Sequence, residues 1–250
     1  MTDPAAPSPL PPPLARRARA VVLVHGAWVG EWCWAPLLPW LERSGRPVHA
    51  VSLTGHGARR HQSAPTVTLD DHVADLVGVF DAHDLVDATV VAHSYGGRVA
   101  TKACQELADR VDRIVYLDAH APLLDGTAAP SSHLPAVVDG MVPVGPFPPD
   151  PAVFGPDGVT WFLERAVPQS ASTLSAPFHV DLPDAIERCY VFATGVPESP
   201  FTRYAEAAAA RPDWEYHELP GDHWLMASHP REIAAIALDD GRVPSDEAPT

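Results

Sequence analysis

Two side chains in this sequence stand in settings suited to covalent chemistry. Ser94 lies in Ala92-His93-Ser94-Tyr95-Gly96-Gly97 and His223 in Pro220-Gly221-Asp222-His223-Trp224. A serine hydroxyl is a weak nucleophile unless a base removes its proton, and that base needs an acid to orient it. Ser94 has small residues two positions to either side, Ala92 and Gly96. A sharp strand-to-helix turn around a nucleophile requires this, because the turn strains the serine backbone. The first glycine of the usual Gly-x-Ser-x-Gly is alanine here, one methyl larger. Alone, the motif is equally a chance serine in a Gly-rich loop. His223 adds a second signal: it lies after the last strand pattern and before a helical one, where a base would close the chain order serine, acid, histidine. Of the thirteen histidines only His223 has this placement, and His61, His83, His217 and His229 read as surface or packing residues.

These side chains need elements to hold them. Ala88 to Val91 has strand character, and Val99, Ala103 and Leu107 recur at helical spacing just after Ser94. The apolar run Ala20–Val24 reads as a strand buried on both faces, ending in His25-Gly26-Ala27-Trp28. That loop and the residue after Ser94 supply two backbone N–H groups for an oxyanion hole, those of Ala27 and Tyr95. Gly26, with no side chain, lets the loop approach the serine.

The rest of the chain alternates. Helical patterns over Trp32–Arg43, Leu69–His83, Phe201–Ala210 and Arg231–Leu238 interleave with strand patterns over Val48–Leu53, Asp112–Leu117, Arg188–Thr194 and Trp214–Leu219. Alternation at this spacing predicts an α/β fold with a mostly parallel central sheet and helices on both faces. It spans residues 19–240, between a Pro-rich disordered tail (1–18) and a flexible tail (241–250). Residues 121–185 carry twelve prolines and one helical piece near Thr160–Ala166. An insertion of this length is expected to be a lid, with Trp161, Phe162 and Phe178 as apolar contacts to a ligand. Trp28 and Trp224 are expected in the same pocket, whereas Trp32, Trp34 and Trp40 read as core.

A net charge of −15 argues against nucleic acid and anionic membranes as partners. The implied partner is a small molecule, and a homodimer is left open. Three widely spaced cysteines lack metal-type spacing, so no metal is expected and a reducing, cytoplasmic setting fits.

Over residues 20–240 the sequence resembles the α/β-hydrolase superfamily. Val-Leu-Val-His-Gly-Ala-Trp, Trp32-Cys33-Trp34, Ala-His-Ser-Tyr-Gly-Gly and Gly-Asp-His-Trp-Leu-Met resemble the plant methylesterase and hydroxynitrile lyase group with its bacterial esterase relatives. The resemblance implies a Ser-His-acid site, no cofactor, and small esters or cyanohydrins as substrates. The lyases of that group carry Thr after the first His and Lys after the catalytic His. Those positions are Gly26 and Trp224 here, which favours ester hydrolysis over cyanohydrin cleavage. The group usually places its acid after the strand that here reads Cys189 to Thr194, near a position held by Val196. Two carboxylates remain: Asp118, closing the preceding strand, and Glu198. Asp118 is preferred, because a strand end fixes a carboxylate more firmly than a Pro-rich turn does.

The reading is a serine hydrolase that cleaves a carboxylic ester, lactone or thioester of a small apolar substrate through an acyl-enzyme. The alternatives are acyl transfer, cyclisation or a lyase step at the same site, and a non-catalytic ligand receptor on the same fold.

Overall fold

Val21–Val24 (β1) and Ala88–His93 (β3) are buried along their whole length, which requires cover on both faces of the sheet. The pleat sorts their side chains. Val22, Val24, Val90 and Ala92 pack into one apolar cluster with Val73, Leu76 and Phe80 of α2 (Leu69–Ala82) and Val99 and Ala103 of α3 (Gly96–Leu107). Val21, Leu23 and Val91 join a second cluster with Trp34, Leu37 and Leu41, closed by Ile233, Ala234 and Ala237 of α8 (Pro230–Leu238). The computed structural model describes residues 19–123, 136–145, 147 and 149–239. Both expected tails lie outside those residues, as does the stretch 124–135 of the expected lid.

The main sheet has six strands in the order β2-β1-β3-β4-β7-β8, where β2 is Val48–Val51, β4 Val111–Leu117, β7 Glu187–Ala193 and β8 Glu215–Leu219. Every pair is parallel. The C-terminal ends of β1, β3, β4 and β8 therefore face one edge, where open α/β sheets build their sites. A capping box starts α2: the Thr68 hydroxyl accepts from Asp71 N–H, and the Asp71 carboxylate accepts from Thr68 N–H.

Two expectations change. The helix expected over Trp32–Arg43 is a 3₁₀ turn at Glu31–Trp34 followed by the short α1, Leu38–Glu42. Pro36 has no N–H to continue a helix, and Pro39 is tolerated because it stands in the first turn of α1. Trp34 is core, while Trp32 and Trp40 are only half-buried.

Within the insertion, the described residues carry more regular structure than the Pro-rich composition suggests. A two-stranded antiparallel pair joins β5 (Met141–Val142) to β6 (Gln169–Ser170). Between them runs α4, Pro151–Arg165, capped by the Asp150 carboxylate on Ala152 N–H and kinked at Gly155, φ +67°. The short α5, Ala171–Ser175, follows β6. After β7 come α6 (Thr202–Ala209) and, beyond β8, α7 (Leu225–Ser228).

Candidate active site

β3 delivers Ser94 into a turn that puts its backbone in the left-handed region, φ +55°. A non-glycine residue there is strained, and such strain is held by its surroundings. Ser94 N–H donates to Leu117 O at 3.2 Å, and its carbonyl accepts from His120 N–H at 3.1 Å. The turn is thereby tied to the end of β4. It also needs its glycines: a Cβ on Gly96 would lie 2.5 Å from Val24 O, and one on Gly97 only 2.0 Å from His120 O.

β4 ends one residue before Asp118, which is fully buried with φ +41°. Its backbone N–H is held by Val191 O at 2.8 Å. Its Oδ2 lies 2.6 Å from Nδ1 of His223, and its Oδ1 accepts from Ala193 N–H at 3.4 Å. The imidazole stacks on Phe201 at 5.2 Å with 5° between the planes, and Phe147 lies 4.7 Å away. The His223 carbonyl accepts from His93 Nε2 at 2.8 Å. The neighbouring Asp222 accepts from Trp224 N–H at 3.0 Å and from Asp150 N–H, at the head of α4, at 3.1 Å. With Nδ1–H assigned as donor to Asp118, Nε2 is the ring nitrogen left to accept a proton.

Ser94 and His223 line one cavity of about 300 Å³, its mouth included, together with Gly26, Ala27, Trp28 and Trp224. From the insertion come Val144, Gly145, Phe147 and Phe162. Among the described residues neither Ala27 N–H nor Tyr95 N–H has an intramolecular acceptor. Ala27 lines the cavity, and Tyr95 is buried next to Ser94 with its hydroxyl 2.8 Å from His72 Nδ1. A Cβ at Gly26 would fall 2.9 Å from His93 Nδ1 and 3.0 Å from Ser94 Cβ, so a larger residue would press on the serine itself.

Several residues named from sequence stand elsewhere. Glu198 is exposed in its turn, φ +53°, away from the cavity, and Val196 is half-buried against the core. Trp161 is 38% exposed, packed edge-on against Trp32 at 5.1 Å with the Arg165 guanidinium over its ring, and does not line the cavity. One helical step separates it from Phe162, which turns inward against Trp224 at 4.6 Å. Phe178 is buried under the Arg98 guanidinium, 4.7 Å from its ring, and beside His120; it fills core, not cavity. His93, Val29, Val144, Gly145 and Phe147 line the cavity without having been singled out. His93, adjacent to Ser94, was the one with a readable signal. Cys189, Glu215 and His217 come together at the opposite end of β7 and β8, where Arg113 already donates to Glu215.

Burial dominates the electrostatics. It pushes the Asp118 carboxyl up, to about 8, with the Ala193 N–H acting in the opposite direction. It pulls the His223 imidazole down, to about 3, so the imidazole is neutral at neutral pH and able to accept a proton. Burial likewise holds His25 and His93 well below the ordinary value, His56 at about 4, and His72 lower than usual. These groups stay neutral in the fold but take protons in the unfolded chain below about pH 6.5. Stability is therefore complete above that pH and is lost as pH falls toward the folded-state values. At pH 5 keeping His56 or His223 neutral costs about 2 kcal/mol each. That is a large share of the stability that holds a domain folded, about 5–15 kcal/mol. Thermal unfolding followed by circular dichroism should show a steep fall in Tm from pH 7 to pH 5. Equal Tm values at the two pH values would contradict this.

The sheet, the elbow and the Asp118–His223 pair together define a hydrolase-type fold, and comparison with known proteins agrees. The alpha/beta hydrolase family model matches residues 21–236. The chain is 32% identical over 231 residues to a carbendazim hydrolyzing esterase from Nocardioides sp. (strain SG-4G), covering 85% of this chain and 96% of that one. It is 36% identical over 111 residues to methylesterase 9 of Arabidopsis thaliana, 44% of this chain and 43% of the plant protein. Among solved structures, an extracellular alpha/beta-hydrolase from a Paenibacillus species superposes with a TM-score of 0.71 at 25% identity, covering 90% of this chain and all of that one. That protein is described as sharing structural and functional homology with tobacco salicylic acid binding protein 2. The chain belongs to the alpha/beta hydrolase family and is an enzyme of that family, similar to the plant methylesterases and bacterial esterases that its motifs resemble. Among the described residues no helix is long and apolar enough to cross a membrane.

Proposed function

We propose that this enzyme hydrolyses the ester of a small, uncharged, largely apolar molecule, with Ser94 as nucleophile, His223 as base and Asp118 as the orienting acid. The observation that carries the reading is the 2.6 Å Asp118–His223 hydrogen bond at the wall of the cavity that also holds Ser94. His223 Nε2 takes the Ser94 proton as Oγ attacks the ester carbonyl, and the oxyanion is stabilised by the N–H groups of Ala27 and Tyr95. The alkoxide leaves with the proton from His223, giving an acyl-enzyme and free alcohol. Water, deprotonated by the same imidazole, then releases the acid and restores Ser94. Nothing in this sequence of steps requires a cofactor. Relatives named as esterases support the ester bond, and the scarcity of polar groups in the cavity wall supports an apolar substrate. The tight contacts around Gly26 disfavour a lyase-type threonine there. Three cysteines buried as free thiols fit work in a reducing, cytoplasmic compartment.

Turnover of methyl and aryl esters in ¹⁸O-water tests the reaction class. Hydrolysis places one ¹⁸O in the acid and none in the alcohol. Substrate loss without acid formation would mean transfer, cyclisation or lyase chemistry. Substrate shape is assigned to the insertion. Phe162→Leu should change the ratio of rates for long and short acyl esters by about tenfold, since one methylene in such a pocket is worth about 1–3 kcal/mol. Trp161→Leu, on the outer face of α4, should leave that ratio alone. Equal effects from both would point to a general loosening of the helix.

A further inference from the structure

Trp28 is a bulky residue held at φ +66°, in the left-handed region that such side chains avoid. Strain of this kind persists only where the surroundings over-determine it, and here three hydrogen bonds do so. Trp28 N–H donates to Gln169 Oε1 at 3.1 Å, its carbonyl accepts from Val167 N–H at 2.9 Å, and its indole N–H donates to Val142 O at 3.2 Å. All three partners belong to the insertion, and none to the sheet that carries Ser94. The indole also lies against the Gly145 backbone, where a Cβ would come within 2.3 Å of the ring.

Gln169 is the one side chain among these partners. It is buried in β6, and its amide orientation follows from its second contact. Thr173 Oγ1 donates to Ser170 O at 2.7 Å, so it accepts from Gln169 Nε2 at 2.8 Å, which turns Oε1 toward Trp28 N–H. The peptide thus held is the one immediately after Ala27, a residue that lines the cavity with Ser94.

Resting on the hydrolase reading above, we propose that Gln169 is a positioning residue. By gripping Trp28 it fixes the Gly26–Ala27–Trp28 backbone so that the Ala27 N–H meets the developing oxyanion. The insertion then assembles half of the oxyanion hole as well as covering the site. An oxyanion donor gains its value in the transition state and adds little to substrate binding. Loss of its positioning should therefore appear in kcat and leave KM nearly unchanged.

The test uses the full chain in three variants. Gln169→Met keeps the length of the side chain and removes its acceptor. Gln169→Glu keeps an acceptor for Trp28 N–H, and Thr173→Val removes the hydroxyl that orients the Gln169 amide, together with its bond to Ser170 O. Gln169→Met should lower kcat on an activated ester by about tenfold to a hundredfold, less than outright loss of a donor, with KM within about threefold. Amide hydrogen exchange at Trp28 should become faster in the same variant. Gln169→Glu should recover most of the rate, and Thr173→Val, which frees the Gln169 amide to turn, should fall between Gln169→Met and wild type in both kcat and Trp28 exchange. A folded Gln169→Met with unchanged Trp28 exchange overturns the proposal whatever its activity, as does a fall in Tm without any fall in kcat. A Ser94→Ala enzyme that still turned over would instead overturn the hydrolase reading, while the exchange measurement would still report on the clamp. Should Gln169→Met fail to fold, Gln169→Glu decides: wild-type Trp28 exchange with most of the rate retained supports the acceptor role, and faster Trp28 exchange or a kcat lowered about tenfold or more in a folded protein contradicts it.

Discussion

Ser94→Ala will lower kcat by roughly 10⁴- to 10⁶-fold and leave the fold intact, the range expected when one member of a catalytic triad is removed. The fold should survive because the hydroxyl contributes little to packing. The turn is held through the Ser94 backbone, by Leu117 O and His120 N–H, and the glycines that admit it are untouched. Alanine pays the same conformational cost as serine at φ +55°, so the elbow has no new reason to relax. Steady-state kinetics on an activated ester, with Tm as the control, gives the result directly. A folded variant keeping more than about a tenth of the wild-type rate would exclude Ser94 as nucleophile, given the expected loss.

Asp118→Asn should be nearly as damaging, about 10²- to 10⁴-fold in kcat. The asparagine has the same shape, but its amide N–H can face Nδ1 and hold His223 in the wrong tautomer, with Nε2 carrying the proton. Stability should move the other way. Burial raises the Asp118 carboxyl, so the buried carboxylate that accepts from His223 is a cost to the folded state that asparagine lacks. A Tm equal to or above wild type alongside a large loss of rate marks a residue kept for chemistry. Glu198→Gln, in an exposed turn, should be silent. The reverse pattern would move the acid to Glu198, and two silent variants would mean a Ser-His dyad.

The residues at this site differ in how clearly the sequence announced them. Ser94, His223 and Asp118 each terminate or follow a strand, and strand ends are legible because runs such as Ile114-Val115-Tyr116-Leu117 have a strong local pattern. The parallel sheet follows from the same alternation. The apolar spacing over Trp32–Arg43 is helical, but Pro36 has no N–H to give and divides the stretch into a 3₁₀ turn and the short α1. Inside 121–185 only the short piece near Thr160–Ala166 has a helical pattern, so which aromatic faces the cavity is decided by tertiary contacts. Phe162 and Trp161 are adjacent, yet only one points inward. Phe178 looked like a ligand contact and proves to be core under Arg98. Gln169 left no trace, because a lone glutamine carries no chemistry until a fold sets it against Trp28.

The central claim is that Ser94 is activated by His223, and covalent labelling tests it most directly. A fluorophosphonate probe should add one equivalent to the wild-type enzyme, with the mass shift mapped to the peptide carrying Ser94. Labelling should vanish in Ser94→Ala and slow by orders of magnitude in a folded His223→Ala. A folded wild-type enzyme that takes no label, or takes it elsewhere than Ser94, would contradict the account.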